Sequence, residues 1–159
     1  MKHLFVIPSL FILLFSGCGE PRPDGMPKLY PVTLTLEQEG KPLAEATVIL
    51  VPQFPCTWTV GGITDTSGRV QLKTHGKHDG APAGNFKICV RKTIIEGESL
   101  SLLDRPTAPR QYYEGVEPEY GNAETTPLEI NIEPKRQTFP PFDAGKAIKV
   151  KKVAAPMTR

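Results

Sequence analysis

Few side chains in this chain are of types, and at spacings, that could do chemistry. His75 and His78 sit with Asp79 in the run Thr74-His75-Gly76-Lys77-His78-Asp79. Two imidazoles and a carboxylate can ligate a metal ion when the backbone aims them at one point. A glycine-containing loop does not aim them, so the expectation is a solvated loop and no bound metal. Cys56 and Cys89 are a pair of thiols and a candidate disulfide. A bridge would close a long loop and add about 3.5–4 kcal/mol in the chain-entropy account. Against it, Cys89 shares strand parity with Lys87 and Arg91 and so points away from the core. Cys56, in the loop after Pro55, could cross that outer face, and the pairing stays open. Tyr112, Tyr113 and Trp58 are rigid amphipathic rings suited to stacking on sugars or peptides. They are the candidate ligand contacts, although for Trp58 burial against the edge of the fold competes. No spacing ties Ser, His and Asp into a nucleophilic triad, and no G-x-S-x-G, P-loop or paired CxxC signal is present. The chain is therefore expected not to be an enzyme and to use no cofactor. The alternative is a small enzyme or metal-binding protein built on His75, His78 and the stretch 94–127.

The N-terminal residues carry an address. A short basic start, Met1-Lys2-His3, precedes an apolar run from Leu4 to Phe15. As a helix that run spans roughly 18 Å, too short for a hydrocarbon layer of about 30 Å. Small residues Ser16 and Gly17 come next, the layout of a secretory signal peptide over residues 1–17. Phe15-Ser16-Gly17-Cys18 resembles the lipobox of bacterial lipoproteins, with Phe where Leu is usual. The resemblance implies acylation of the Cys18 thiol and anchoring in a membrane. Several acyl chains at about 0.8 kcal/mol per buried CH₂ make such anchoring stable. Gly19, in place of Asp after the cysteine, implies the outer membrane by resemblance to diderm sorting rules. The expected location is the cell envelope, at the periplasmic face of the outer membrane or the cell surface. Residues 18–28, rich in proline, read as an extended lipidated tether. Residues 18–159 would fold in an oxidising compartment.

Positioning falls to short strands. The chain holds 17 Pro and 14 Gly in 159 residues, above the usual ~12% but below low-complexity levels. With 39% hydrophobic and 23% charged residues, a packed core is expected. A formal net charge of +2 argues for no particular partner. Tyr30, Val32, Leu34 and Leu36 alternate with Pro31, Thr33, Thr35 and Glu37, the period of a strand with one buried face. Thr47 to Val51 is a near-continuous apolar run, which predicts a strand covered on both faces. Val70 and Leu72 alternate with polar neighbours, as do Phe86, Ile88 and Val90, and Leu128, Ile130 and Ile132. Turns are predicted at Gln38–Pro42 and at Thr64–Arg69, where Asp and Ser bond the backbone and Gly takes a left-handed position.

Gly40-Lys41-Pro42-Leu43-Ala44-Glu45-Ala46-Thr47-Val48, Thr64-Asp65-Thr66-Ser67-Gly68-Arg69-Val70 and Ala81-Pro82-Ala83-Gly84-Asn85-Phe86-Lys87-Ile88 together resemble bacterial transthyretin-like domains, also called carboxypeptidase regulatory-like domains. Glu119 to Leu128 looks like the closing strand of their lipoprotein members. The resemblance implies an all-β, seven-stranded antiparallel β-sandwich of the transthyretin (prealbumin) type over residues 29–143. It implies an accessory or binding module, and brings no catalytic residues. The fold family also includes iron dioxygenases that use two Tyr and two His. Here the tyrosines are adjacent and the histidines lack an H-x-H spacing, so that activity is not expected.

The stretch 94–127 reads as a long acidic flap carrying Leu100, Leu102, Leu103, Tyr112, Tyr113 and Tyr120. It either packs its leucines over a sheet face or faces a ligand. Residues 144–159 form a basic tail, read as solvated, with an edge strand over 147–153 as the competing reading. Its lysines could pair with the acidic flap or attract anionic headgroups. Partners are expected to be a membrane through Cys18 and an envelope protein, a peptide or a glycan. Nucleic acid is not expected, since aromatic and basic residues are not interleaved.

Overall fold

The computed structural model describes residues 21–96 and 111–152. The expected signal peptide, Cys18 and Gly19 lie outside the described residues, as do Leu100, Leu102 and Leu103 of the flap. The strands are β1 (Leu29–Tyr30), β2 (Val32–Gln38), β3 (Lys41–Pro42), β4 (Thr47–Pro52), β5 (Val60–Ile63), β6 (Arg69–Gln71), β7 (Lys73–Thr74), β8 (His78–Asp79), β9 (Ala81–Pro82), β10 (Gly84–Arg91), β11 (Thr93–Glu96), β12 (Gln111–Val116), β13 (Glu129–Ile132), β14 (Gln137–Thr138), β15 (Phe142–Asp143) and β16 (Ala147–Lys151). A 3₁₀ turn at Pro118–Gly121 is the only helical element among the described residues. The protein is all-β, as expected.

One sheet runs in the order β13-β10-β4-β5-β7-β8, antiparallel throughout. A second is organised around β2, which pairs antiparallel with β3 and β6 on one edge. Alternation puts Val32, Leu34 and Leu36 of β2 into one apolar cluster with Val48, Leu50, Phe86, Ile88, Val90, Ile130 and Ile132 of the first sheet. Two sheets burying their inner faces against each other is the arrangement of a β-sandwich. The chain joins the layers at Leu72. β6 pairs with β2, while β7, one residue later, pairs with β5. Leu72 is buried at the crossing and donates its N–H to the Val32 carbonyl.

Pairing is not antiparallel everywhere. β14 and β15 run parallel to β2 along its other edge. They are one extended segment interrupted by Pro140 and Pro141. Proline has no N–H to donate, so the ladder stops there and resumes with the register slipped by one residue.

The run from Thr47 to Val51 is covered on one face only, contrary to expectation. Val48 and Leu50 are buried, while Ile49 is 43% exposed. Cys89, directly opposite Ile49, departs from its expected exposure. It has the outward parity of Lys87 and Arg91 yet is buried. A short side chain in an inner strand is overtopped by longer neighbours on the same pleat. That burial pushes the Cys89 thiol above its ordinary pKa, with the Arg91 charge opposing.

The described parts of the stretch 94–127 divide: Pro118–Gly121 lies against β10, where Arg91 donates to the Gly121 carbonyl and Tyr120 packs on the core, while the earlier part forms strands of its own. β11 and β12 pair with each other, and β16 adds to β12 to make a three-stranded sheet. The segment read as a solvated tail therefore holds a strand. The charge pattern explains its docking: Lys149 Nζ lies 2.5 Å from Glu96 Oε1, and Lys152 Nζ lies 3.0 Å from Glu114 Oε1. The hydrogen bond to Glu96 raises the Lys149 pKa above the usual lysine range. The pairing of a basic end with the acidic stretch is thus present in the fold.

Candidate functional site

Prolines and aromatic rings gather at one end of the sandwich, where the N-terminal segment meets the loop between β4 and β5. They surround a cleft of about 680 Å³ walled by Lys28, Tyr30, Phe54, Cys56, Thr57 and Trp58. Pro27, Pro55 and Pro82 complete the walls with Gly25 and Ala83.

Local rules place each ring. Tyr30 ends β1, which is held by β9 through the pairs Leu29–Pro82 and Tyr30–Ala81. Gly80 allows this approach: a Cβ there would lie 2.4 Å from the Tyr30 carbonyl oxygen, and its φ is +99°. Phe54 follows β4, anchored where Gln53 N–H donates to the Asn85 carbonyl at 2.9 Å. Its ring meets buried Phe86 edge-on, with centroids 5.3 Å apart. That geometry suits the ring quadrupoles. Trp58 is half-buried and meets the His75 ring edge-on at 6.0 Å. The His75 N–H donates to the Thr59 carbonyl at 2.7 Å, which fixes this corner. Lys28 Nζ lies 5.5 Å from the centre of the Tyr30 ring, within reach of a cation–π attraction.

The cleft's chemistry is narrow. Its side-chain polar groups are the Lys28 ammonium, the Tyr30 and Thr57 hydroxyls, the Trp58 indole N–H and the Cys56 thiol. No Asp, Glu, His, Asn or Gln lines it. These walls hold no carboxylate or imidazole, the side chains most often used for general acid–base work. They can stack on flat or ring-shaped groups and donate hydrogen bonds.

The residues read as candidates fare differently. Trp58 is in the cleft wall. Tyr112 and Tyr113 are neighbours on β12, so they point to opposite faces of that strand. Tyr112 is 42% exposed. Tyr113 is held by Lys149 Nζ, 4.8 Å from its ring centre, and donates its hydroxyl to Gln111 Oε1 at 2.7 Å. The two tyrosines do not converge on one ligand. Cys56 and Cys89 are free thiols. Cys56 lies in the cleft wall with its Sγ 3.8 Å from the Trp58 carbonyl oxygen, while Cys89 lies within β10.

His75 occupies the β7–β8 turn with φ of +55°, followed by Gly76 at +71°. His78 is already on β8, paired with Thr74. β8 is the edge of the six-stranded sheet, with β4, β5 and β7 between it and β10. The β11–β12 hairpin leaves from the far end of β10, beside Thr47 and Ile63. The two histidines and the strands β11 and β12 therefore lie at opposite corners of that sheet. No three His, Cys, Asp or Glu side chains cluster for a metal among the described residues.

Outside the cleft, Tyr120 has its phenol pKa raised by burial, with smaller contributions from Glu119, Glu117 and Asp143. Sequence reasoning missed Lys28, Tyr30 and Phe54. Tyr30 read as an ordinary strand start and Lys28 as tether, and Phe54 carried no reading. The available signal was the run Phe54-Pro55-Cys56-Thr57-Trp58, two aromatic rings bracketing a proline outside any strand. Comparison with family models, curated proteins and solved structures finds no match to this chain.

Proposed function

We propose that this protein is a non-enzymatic, lipid-anchored binding module of the bacterial cell envelope, built on a transthyretin-like seven-stranded sandwich. It holds its partner, a protein, peptide or glycan, in the cleft of Tyr30, Phe54 and Trp58. The carrying observation is that cleft: aromatic faces, Phe54 braced by the core ring of Phe86, with donors at their edges and no carboxylate or imidazole among them. Its position supports tethered display. Gly25, Pro27 and Lys28, the last residues of the expected tether, form part of the wall. The lipid anchor rests on the Cys18 lipobox resemblance.

A photo-crosslinking residue at Thr57 in growing cells tests the site, with the same residue at Tyr112 as control. Envelope adducts from position 57 alone are expected, and adducts from position 112 alone overturn the reading. Cys18→Ser should release the protein from the membrane fraction. Unchanged fractionation removes the anchor.

A further inference from the structure

We infer that the cleft binds an extended proline-rich peptide carrying an acidic residue beside its prolines. This deepens, and rests on, the reading of the cleft as the binding site.

The argument is one of donors and acceptors. A proline-rich strand in the polyproline II form has carbonyl oxygens as its main polar groups, because proline lacks an N–H. It asks its receptor for donors and for flat apolar faces. The cleft offers both: the Trp58 indole N–H and the Lys28 ammonium are donors only, and Tyr30 and Thr57 have hydroxyl protons to give. Proline rings pack on aromatic faces in grooves of this composition. A glycan presents the opposite demand. Its hydroxyl groups must also donate, and they call for carboxylate or amide acceptors, which no side chain of the cleft supplies.

Charge sets the second feature. Lys28 is exposed at the rim, over the Tyr30 ring, and no acidic side chain lines the cleft to neutralise it. An aspartate or glutamate next to the proline run would meet it there. The rings are also preorganised. Phe54 is braced by Phe86, and Trp58 by His75, so little side-chain freedom is lost on binding.

Trp58 is the single tryptophan of the chain, so its fluorescence reports on the cleft directly. The full chain is titrated with an octaproline peptide flanked by aspartates, with neutral octaproline, with an alanine peptide of equal length and charge, and with a chitin oligosaccharide. The expected result is a saturable change with the acidic proline peptide, weaker with neutral octaproline and absent with the other two. Lys28→Gln should weaken the acidic peptide at least tenfold and bring it to the level of the neutral one. Trp58→Ala, read by calorimetry, should weaken both, while Tyr112→Ala should weaken neither. Saturable binding of the oligosaccharide or of the alanine peptide, without the proline peptides, overturns the ligand class and leaves the cleft as the binding site. A dimer abolished by Trp58→Ala, with no peptide response, overturns it in favour of a second copy. Silence toward every probe overturns it outright, and crosslinking from position 57 then decides separately whether the cleft is used at all.

Discussion

Gly84 and Phe54 share one space. An ideal Cβ on Gly84 would lie 2.3 Å from Phe54 Cε1, and Gly84 has a φ of +143° that side-chain-bearing residues rarely adopt. The bare backbone at the start of β10 is what lets the phenyl ring drop between Phe86 and the cleft. One glycine therefore links the core to the candidate site.

Gly84→Ala is expected to destabilise the fold by about 2 kcal/mol or more, from backbone strain and overpacking together. Part of that loss should vanish in a Phe54→Ala background, where the added methyl meets no ring. A double-mutant cycle by urea denaturation measures the coupling. Additive losses would mean that the ring and the glycine act independently.

Thr64 is buried and bonds in two directions. Its Oγ1 accepts from the Ala46 N–H at 2.8 Å and donates to the Leu43 carbonyl at 2.6 Å. Thr64→Val keeps the shape but strands a buried N–H. A loss of about 1–3 kcal/mol is expected by denaturant titration. Thr126→Val, which leaves the Ile88 carbonyl without its hydroxyl donor, should behave alike.

Asp65 makes stability depend on pH. Its carboxylate accepts from the Ser67 hydroxyl at 2.6 Å, the Ser67 N–H at 2.8 Å and the Arg69 N–H at 3.0 Å. The Ser67 hydroxyl bond, and then the Arg69 backbone bond, hold its pKa below the usual aspartate range. The charged form is thus favoured in the folded state. Its stabilisation is present in full above the unfolded value and is lost as pH falls through the folded one, from about pH 4 downward. Asp65→Asn should be less stable than wild type at neutral pH, and the gap should close in strong acid. Denaturation midpoints against pH report it; a gap that stays constant would mean the carboxylate charge is irrelevant to the turn.

The two body thiols should react at different rates. Cys56 is partly exposed in the cleft wall, whereas Cys89 is buried and its thiolate is disfavoured. In native protein a thiol reagent should modify one of them quickly and the other only on unfolding. Variants Cys56→Ser and Cys89→Ser assign the phases. Absence of both thiols without reductant would show that they are bridged.

Much of the architecture was legible in residue order because its signals are local. Alternation around Leu34, Phe86 and Ile130 sorted each strand into an inner and an outer face. The turn at Asp65–Gly68 declared itself because an aspartate cap and a glycine at φ of +73° act within a few residues. What only the tertiary structure decided depends on partners distant in the chain. Ile49 reads as core until the sheet leaves its face uncovered. β16 reads as a tail until Glu96 and Glu114 of a remote hairpin supply counter-charges. Tyr30, Phe54 and Trp58 have no common period. They meet because β1 pairs with β9, β9 leads into β10, and β10 carries the glycine that admits Phe54. Strand pairing costs chain entropy that only long-range burial returns, and no short window of residues records which strands will meet.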